Sequence, residues 1–476
     1  MLRTKDGKIV DSAGQAVHLR GTCVGGWMNM ENFINGYPGS ESGIRAVFAS
    51  ELGESKAKFF FDRLLDYFLS EQDIAFQNEC GATVVRLPLN YRHFEEDGRP
   101  FEYREDGFKR LNQVIEWCEI HGLYVILDMH AAQGCQNCSW HCDNANRRTM
   151  LWTHRQFRDR LVELWKEFAR RYRGKSIIAG YNLINEPCTG APFGRLRIQG
   201  NPEWDAINSL YRRLVQEIRT IDEEHIIFLE GDRYSRLFSG LEEPFAPNLV
   251  YSSHNYTDAG FGPGSYPGKI AGQHWDEEKQ EREFAEQEGT IFSRKHEVPL
   301  WIGEFGSVFN GAPSEIPDRL RALDDQLSVF ARFGAHWTTW TYKDVGVMGW
   351  VTVDPDSEYM ERIAPILKAK QELFTDFWMK WLPATKAKQM VADLAGHLHG
   401  FVDGRDQERQ DVERFLIQTA LSGYAGNLLQ PGMACIFKDI SEQRIDAILS
   451  AFAFDKCVRN EGLLSVIGKH LQGGES

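Results

Sequence analysis

The sequence predicts an α/β fold: a (β/α)8 barrel, or TIM barrel, with a short N-terminal hairpin, a long insertion after its first strand and a helical C-terminal extension. Two observations predict the barrel. Eight short apolar runs with strand character recur between residues 19 and 342, and the segments that connect them carry helical periodicity. This alternation is typical of βα units around a parallel sheet, and eight such units close a barrel.

The elements follow one another along the chain. The predicted hairpin pairs residues 8–10 with residues 16–19 around a polar turn. The eight runs that we expect to form the barrel are residues 19–24, 83–87, 124–128, 178–184, 226–229, 249–253, 300–303 and 337–342. About 60 residues separate the first two runs. A connection of that length usually has its own structure and often forms a wall or lid over a site.

We divide the chain into a barrel domain, residues 1–381, and a helical C-terminal extension, residues 382–476. The extension has helical runs at residues 412–421 and 445–454, a Gly/Pro break between them and no strand-rich stretch. Two interpretations of it stay open. It is either a scaffold packed on the barrel or an appendage that binds a partner, and its lack of a clear aromatic platform argues against a carbohydrate-binding module.

The composition is that of a globular protein, with 42% hydrophobic and 26% charged residues, which excludes a largely disordered chain. A net charge of −14 repels nucleic acids and anionic lipid surfaces, so we expect neither as a partner. The sequence has no apolar run of the roughly 18 residues that span a membrane and no visible signal segment. Nine scattered cysteines, an odd number, fit a reducing compartment. We therefore expect a cytoplasmic protein.

Two glutamates stand where a barrel of this kind places its active site, directly after strands. Glu186 follows the fourth predicted strand in an Asn-Glu-Pro sequence, and Glu304 follows the seventh in a Gly-Glu-Phe-Gly sequence. Burying a carboxylate there needs a compensating reason, and glycoside hydrolysis uses such a pair of carboxyl groups. A salt bridge at each strand end is the structural alternative. The convergence of two carboxylates on one barrel mouth favours the catalytic interpretation.

These two segments resemble the acid/base and nucleophile motifs of glycoside hydrolase family 5, and further residues match that family in the same order. The matches are Arg86 in the second strand, His130 at the end of the third, His254 and Tyr256 after the sixth and Trp340 in the eighth. The resemblance covers residues 17–343. It implies that Glu186 is the acid/base and Glu304 the nucleophile, with Arg86 and Tyr256 orienting Glu304. It also implies that Asn185 binds the sugar 2-hydroxyl, that His130 and His254 are neutral partners of sugar hydroxyls, and that a pyranose stacks on Trp340.

Residues 21–31 are similar to the start of the exo-β-glucanase branch of that family. A glutamate at this place in that branch binds the terminal glucose, so the resemblance implies that Glu31 holds sugar hydroxyls in a pocket closed at the non-reducing end. A solvated loop acid is the alternative for Glu31. The loop after the third strand adds Asn137 and His141 as candidate sugar ligands.

The same loop contains a cluster of metal-ligand residue types. Cys135, Cys138, His141 and Cys142 lie within eight residues, and cysteine and histidine are zinc ligands. So compact a run would struggle to close a tetrahedral site, which usually draws on two separated ligand pairs. We therefore expect thiols in this loop, with an oxidised pair as the lesser alternative, and we expect no metal or other cofactor.

The sequence as a whole predicts a metal-independent retaining β-glycosidase that is exo-acting on β-glucosides or short β-glucan oligosaccharides. In a retaining enzyme the two carboxyl groups lie about 5–5.5 Å apart, so that Glu304 can attack while Glu186 donates a proton. Two alternatives stay open. One is an endo-β-1,4-glucanase or mannanase with an open cleft, and the other is a non-catalytic sugar-binding barrel. The expected partner is a small carbohydrate, and no oligomeric state is predicted.

Overall fold

The computed structural model describes residues 1–189, 201–379, 385–401 and 412–472. Its centre is a closed barrel of eight parallel strands, which confirms the predicted fold class. We label the barrel strands β1 (Arg20–Cys23), β2 (Val84–Asn90), β3 (Tyr124–Ala131), β4 (Ile178–Asn182), β5 (Ile226–Glu230), β6 (Leu249–His254), β7 (Leu300–Glu304) and β8 (His336–Thr339). Each strand coincides with a predicted apolar run, and β8 pairs with β1 to close the barrel.

The strands form because both of their faces are covered, one by the barrel interior and one by helices, so long apolar runs are stable there. β2 and β3 extend past their predicted ends, since Leu89 pairs with Met129 and Asn90 with Ala131 at the barrel mouth. β4 ends earlier than predicted, at Asn182. The chain leaves the sheet there and turns toward the mouth, three residues before Asn185.

The N-terminal hairpin differs from the prediction. Residues Lys8–Val10 form a two-stranded sheet with Arg3–Lys5, and their predicted pairing with residues 16–19 is limited to a short contact. The turn between them is Asp6-Gly7, and both residues have positive φ, 49° and 71°. Two-residue turns of this kind match the twist of paired strands better than the longer connection that we predicted. On the predicted side, Ala16 forms an isolated antiparallel bridge with Val10, and the backbone N–H of Val17 donates a hydrogen bond of 2.9 Å to Ile9 O, so the predicted hairpin is present in part.

Helices surround the barrel, and the connections between its strands carry most of them. The longer ones are Glu41–Leu52, Glu54–Phe68, Glu71–Glu79, Glu105–His121, Arg155–Tyr172, Trp204–Arg219, Glu277–Glu286, Glu288–His296, Ile316–Arg332 and Glu358–Leu373. Shorter helical segments are Tyr91–His93, Trp140–Cys142, Met150–Thr153, Asp258–Phe261 and Pro313–Glu315. Small sheets outside the barrel pair Glu95–Glu96 with Arg99–Tyr103, Gly268–Ile270 with Gln273–Trp275, and Lys343–Asp344 with Val351–Val353.

The insertion after β1 has its own structure, as its length suggested. Residues 24–40 run along the barrel mouth and are buried throughout. The three helices Glu41–Leu52, Glu54–Phe68 and Glu71–Glu79 follow before β2 begins. This buried run forms one wall of the cavity described below.

The C-terminal extension packs on the barrel and on this insertion. Its helices are Lys386–Leu398, Gly426–Leu428, Gln430–Cys435, Glu442–Leu449 and Glu461–Gln472, with a π-helix at Ile417–Ala425 and short turns at His399–Phe401, Ser450–Phe452 and Phe454–Lys456. The ring of Phe437 lies 4.8 Å from that of Phe60, and the backbone oxygen of His470 accepts a hydrogen bond of 2.9 Å from Arg20 Nη1. These contacts support the scaffold interpretation.

Two further findings concern the extension. It contains one short strand, Cys457–Arg459, which joins the sheet after β8, so it is not wholly helical as predicted. The predicted domain boundary between residues 381 and 382 lies outside the described residues, and the division into two domains stays a prediction. None of the helices in the described part of the chain is long and apolar enough to cross a membrane.

Candidate active site

A cavity of about 240 Å³ opens at the C-terminal ends of the barrel strands. The predicted site residues that line it are Glu31, His130, His141, Glu186, Tyr256, Glu304 and Trp340. The others, Arg86, Asn137, Asn185 and His254, are buried behind this lining, and each is bonded to a lining residue. The structure therefore brings all the predicted site residues into one cluster.

Glu304, at the end of β7, is held through both carboxylate oxygens. Its Oε1 accepts a hydrogen bond of 2.6 Å from Arg86 Nη1, and its Oε2 accepts one of 2.9 Å from Tyr256 Oη. The residue before it is Gly303, where a Cβ would lie 3.0 Å from His254 Nε2, so glycine lets the histidine approach the strand. Two donors on two oxygens fix the direction of the carboxylate across the cavity.

Glu186 follows β4 in a left-handed conformation, with φ of 47°. Its Oε1 lies 2.8 Å from His254 Nδ1, and its Oε2 lies 3.1 Å from His141 Nε2. Burial raises the pKa of Glu186, but hydrogen bonds from His141 and His254 outweigh this and hold the pKa well below its usual range. With both imidazoles donating, the ionised form of Glu186 is favoured.

Asn137 permits a second protonation arrangement. Its Oδ1 accepts a hydrogen bond of 2.9 Å from Ser139 N, which turns its Nδ2 toward Glu186 O and His141 Nε2, at 2.9 Å each. An amide N–H aimed at His141 Nε2 makes that nitrogen an acceptor, and the contact with Glu186 then needs a proton on the carboxyl group. Glu186 can thus hold or release a proton with little movement, as an acid/base residue must.

His254 lies between the two glutamates. Its Nδ1 is 2.8 Å from Glu186 Oε1 and 3.6 Å from Glu304 Oε2. One ring nitrogen and one oxygen of each glutamate all lie within 4.8 Å of one another, an approach in keeping with the roughly 5–5.5 Å between the carboxyl groups of a retaining pair. Among the described residues, these three side chains are the one group whose atoms are close enough together to hold a metal ion. The cysteine cluster after β3 does not have that spacing.

The carboxylates around His130 and His254 favour the charged form of each imidazole, whereas we expected both to be neutral. Burial lowers the pKa of His130, but hydrogen bonds to Asp128 Oδ2, at 2.8 Å, and to Glu31 raise it to about 9. Burial also lowers the pKa of His254, but the carboxylates around it, Glu304 foremost, raise it well above the usual value. Both pKa values rise because several buried carboxylates surround these imidazoles. Apart from Asp128, these carboxylates come from other parts of the chain and are brought together only by the fold.

Arg86 forms the floor of the site. Its Nη2 donates a hydrogen bond of 2.6 Å to Asn185 Oδ1 and lies 3.0 Å from Asp128 Oδ2. Burial lowers the pKa of Arg86, but the charges of Asp128 and other neighbours raise it well above its usual range. Asn185 Nδ2 in turn lies 3.3 Å from His130 Nε2. The fully buried amide of Asn185 is therefore locked beneath the cavity.

Sequence reasoning missed part of the aromatic rim. Trp378 packs against Phe33, with ring centroids 4.6 Å apart, and lies 6.1 Å from Phe261. Phe33 and Phe261 are in the connections after β1 and β6, and residues that follow barrel strands are candidates for the active site. Trp378 follows the helix Glu358–Leu373, well after β8, and no motif there marks it as a site residue.

Comparison with known proteins points to one family. The family described as Cellulase (glycosyl hydrolase family 5) matches residues 60–346. A beta-xylosidase of Phanerodontia chrysosporium is 35% identical over 480 residues, which cover 98% of this chain and 97% of that protein. Endoglucanase C of Acetivibrio thermocellus is 23% identical over 326 residues, 61% of this chain and 88% of that protein.

A third relative, a probable glucan 1,3-beta-glucosidase A of Neosartorya fischeri, is 23% identical over 367 residues, 70% of this chain and 84% of that protein. The family match spans more than half of the chain, and the 35% identical relative aligns over nearly all of it. These matches cover the barrel and the mouth at which the two glutamates meet. The chain is a glycoside hydrolase and belongs to glycoside hydrolase family 5.

Proposed function

We propose that the protein is an exo-acting retaining β-glycosidase that removes single sugars from β-glucosides or short β-glucan oligosaccharides, with Glu304 as nucleophile and Glu186 as acid/base. The observation that carries this proposal is the separation of the two carboxyl groups, which have oxygens within 4.8 Å of each other. So close an approach is typical of a retaining pair, in which the carboxyl groups lie about 5–5.5 Å apart, and it supports direct attack on the sugar.

In the first step an oxygen of Glu304 attacks the anomeric carbon, and the bond from that carbon to the leaving oxygen breaks. Glu186 gives its proton to the leaving oxygen. Arg86 and Tyr256 keep the attacking carboxylate aimed, because they donate to its two oxygens. The products of this step are the free aglycone and a covalent glycosyl-enzyme.

In the second step Glu186, now a carboxylate, takes a proton from water while the water oxygen attacks the anomeric carbon. The bond to Glu304 breaks, and the sugar leaves with its original β configuration. The contact between Glu186 and His141 suits both steps, since the pair can share the proton that Glu186 gives up and takes back.

The shape of the cavity supports exo action. Its volume of about 240 Å³ is below the roughly 300–1,000 Å³ of sites that hold drug-sized ligands, so it suits one sugar ring rather than several. The buried residues 24–40 close one side, and Phe33 from that run meets Trp378 at the rim. An endoglucanase or mannanase would need an open cleft through this wall.

A second candidate substrate is a β-xyloside. The observation that favours it is the 35% identity with a protein named a beta-xylosidase over almost the whole chain. Xylose lacks the hydroxymethyl group of glucose and is compatible with the same small cavity.

As part of the proposal we retain the cytoplasmic location expected from the composition.

The first experiment compares substrates. We expect kcat/KM on 4-nitrophenyl β-glucoside or 4-nitrophenyl β-xyloside to exceed that on any long glucan, with no early fall in the viscosity of a glucan solution. The ratio between the two aryl glycosides decides between the candidate sugars. A rapid viscosity loss before monosaccharide appears would support the endo alternative instead.

The second experiment tests the mechanism. A 2,4-dinitrophenyl 2-deoxy-2-fluoro-β-glycoside of the preferred sugar forms a long-lived covalent intermediate with a retaining enzyme, because fluorine slows both steps. We expect peptide mass mapping to place the label on Glu304. A label on another residue, or an α-configured first product by NMR, would contradict the proposal.

A further inference from the structure

Glu230, the last residue of β5, is fully buried behind the cavity wall. Its Oε2 accepts a hydrogen bond of 2.7 Å from the backbone N–H of Glu186, and its Oε1 accepts one of 2.6 Å from Asn182 Nδ2. Its Oε2 also lies 3.6 Å from His254 Nε2. The carboxylate therefore faces both the backbone of Glu186 and a histidine that bonds to the Glu186 side chain.

The backbone contact bears on the conformation of Glu186. A φ of 47° is in the left-handed region, which a residue with a side chain occupies only when its surroundings determine it. The N–H of Glu186 donates to Glu230, and the N–H of Asn185 donates to Met129 O at 3.0 Å. These two bonds tie the turn after β4 to both neighbouring strands. The first of them is to a charged acceptor, which makes it the stronger kind.

The histidine contact bears on the side chain of Glu186. His254 directs Nδ1 at Glu186 Oε1, 2.8 Å away, and its opposite nitrogen faces Glu230. A carboxylate 3.6 Å from that far nitrogen is beyond hydrogen-bond distance, but it places a negative charge next to the imidazole and favours its charged form. Glu304 is held by Arg86 and Tyr256, at 2.6 and 2.9 Å, and Glu230 reaches this pair only through a long contact of 3.5 Å between its Oε1 and Arg86 Nη2.

We propose that Glu230 is the positioning residue for the acid/base of this enzyme. Through the backbone N–H of Glu186 and through His254, it fixes where the Glu186 carboxyl group points. Glu230 does not touch the substrate. The inference rests on the proposed retaining mechanism, and it predicts a defect in proton transfer rather than in nucleophilic attack.

The two kinds of defect have different signatures. A poor leaving group needs a proton from Glu186, whereas a good one departs without it. The loss of kcat/KM in a variant with a misplaced acid therefore grows as the leaving group becomes poorer. A general loss of structure lowers kcat/KM for every leaving group alike. Azide gives a further signature, because it attacks the glycosyl-enzyme without needing a base.

The test uses Glu230→Gln, which removes the charge facing His254. Its amide NH₂ must also face Glu186 N or Asn182 Nδ2, and both are donors. We expect kcat/KM on a phenyl β-glycoside to fall at least about 10-fold, a part of the 10²–10⁴-fold that acid–base catalysis contributes. We expect a fall below about 3-fold on the 2,4-dinitrophenyl glycoside, where that contribution is not needed. Azide should raise kcat on the second substrate and yield the β-glycosyl azide.

Asp222→Asn is the matched control. Asp222 is a buried carboxylate just before β5, at the opposite end of the same strand, and it accepts a hydrogen bond of 2.7 Å from Tyr181 Oη. We expect its loss of kcat/KM, if any, to be equal for all leaving groups and unaffected by azide. The same uniform pattern in Glu230→Gln would overturn the proposal.

Glu230→Asp is the second variant, since it keeps the charge but withdraws it from Glu186 N. It should show the same dependence on the leaving group as Glu230→Gln. If neither variant folds, as judged by circular dichroism, Glu230 is a structural residue and the proposal is wrong. If the wild-type enzyme hydrolyses no β-glycoside, the proposed function fails first, so the two failures are distinguishable.

Discussion

Arg86 Nη1 donates a hydrogen bond of 2.6 Å to Glu304 Oε1, and both side chains are shielded from solvent. The same guanidinium bonds to Asn185 through its other terminal nitrogen. The guanidinium of Arg86 thus holds both Glu304, the proposed nucleophile, and Asn185, the neighbour of the proposed acid/base. The planar fork of arginine makes this possible, because its donors point in several fixed directions.

We expect Arg86→Lys to lower kcat/KM at least about 100-fold, because a lysine keeps the charge but cannot make both bonds, and losing one preorganised donor costs about 10²–10³-fold. Steady-state kinetics on an aryl β-glycoside would measure this. Arg160→Lys is the control, since Arg160 is buried against Glu95 away from the cavity. It should lower the melting temperature and leave kcat/KM close to that of the wild type. Equal activities of the two variants would contradict the role of Arg86.

Azide can replace either glutamate in a variant that lacks it, and the anomer of the product shows which role that glutamate had. We expect Glu304→Ala to lose at least about 10⁴-fold in kcat, since removing a nucleophile costs about 10⁶-fold in well-studied hydrolases. With an activated β-glycoside, azide should fill the space of the missing carboxylate. The expected product is the α-glycosyl azide, identified by NMR.

The companion variant Glu186→Ala should give the opposite anomer. Its glycosyl-enzyme still forms on Glu304, and azide then attacks from the other face to yield the β-glycosyl azide. The same anomer from both variants would show that the assignments of nucleophile and acid/base are wrong.

The pH dependence of activity tests the contact between His141 and Glu186. Burial raises the pKa of Glu186, while hydrogen bonds from His141 and His254 hold it well below its usual range. His141→Phe removes one of these donors, so the pKa rises and Glu186 stays protonated to higher pH. We therefore expect the alkaline limb of kcat/KM to move to higher pH, measured on an aryl β-glycoside.

The exposed His154, in the loop after β3, provides the control, and His154→Phe should leave the limb in place. A move of the alkaline limb to lower pH in His141→Phe would show that His141 Nε2 accepts a hydrogen bond from protonated Glu186. The direction in which the alkaline limb moves thus shows whether His141 donates a hydrogen bond to Glu186 or accepts one from it.

The rim of the cavity should contribute to binding. We expect Trp378→Ala to raise KM for aryl β-glycosides by roughly 2- to 10-fold, since an aromatic contact is worth about 0.5–1.5 kcal/mol beyond area burial. kcat should change less, because the ring packs on Phe33 and Phe261 and is no part of the hydrogen bonds that hold the two glutamates. Trp117→Ala, in the helix Glu105–His121, is the control and should leave KM unchanged. An unchanged KM in Trp378→Ala would exclude the rim from substrate binding.

The C-terminal extension should stabilise the barrel. Phe437 is fully buried against Phe60 and Phe48 of the insertion, with ring centroids 4.8 and 6.0 Å away. We expect Phe437→Ala to lower the free energy of unfolding by about 3–5 kcal/mol, the usual cost of a large cavity. Tyr424→Ala, at a side chain that is 68% exposed, should change it by at most about 0.5 kcal/mol. Denaturant unfolding would measure both.

The eight strands and the two glutamates were predictable from the sequence, because apolar runs and the residues that follow them are local signals. The hydrogen bonds and ion pairs around the two glutamates were not predictable from the sequence. His130 bonds to Asp128, two residues away, yet its charge also depends on Glu31, which comes from a different strand end. Only the closed barrel sets that distance.

The hairpin and the rim show two further reasons for failure. We predicted the contact across the longer polar turn, which is short, and missed the sheet that residues 8–10 form through the two-residue turn at Asp6-Gly7. Trp378 reaches the cavity from a segment well after the last barrel strand, packed against Phe33. No periodicity within that segment encodes such a contact.

The bond between Arg20 and the backbone of His470 joins residues that are 450 positions apart. Synthesis at about 5–20 residues per second separates their emergence from the ribosome by about 20 to 90 s. During that interval β1 exists without the C-terminal helix against which its base is fastened. The barrel can therefore be completed only after the C-terminal helix Glu461–Gln472 has been synthesised, so its first strand forms its last contact late.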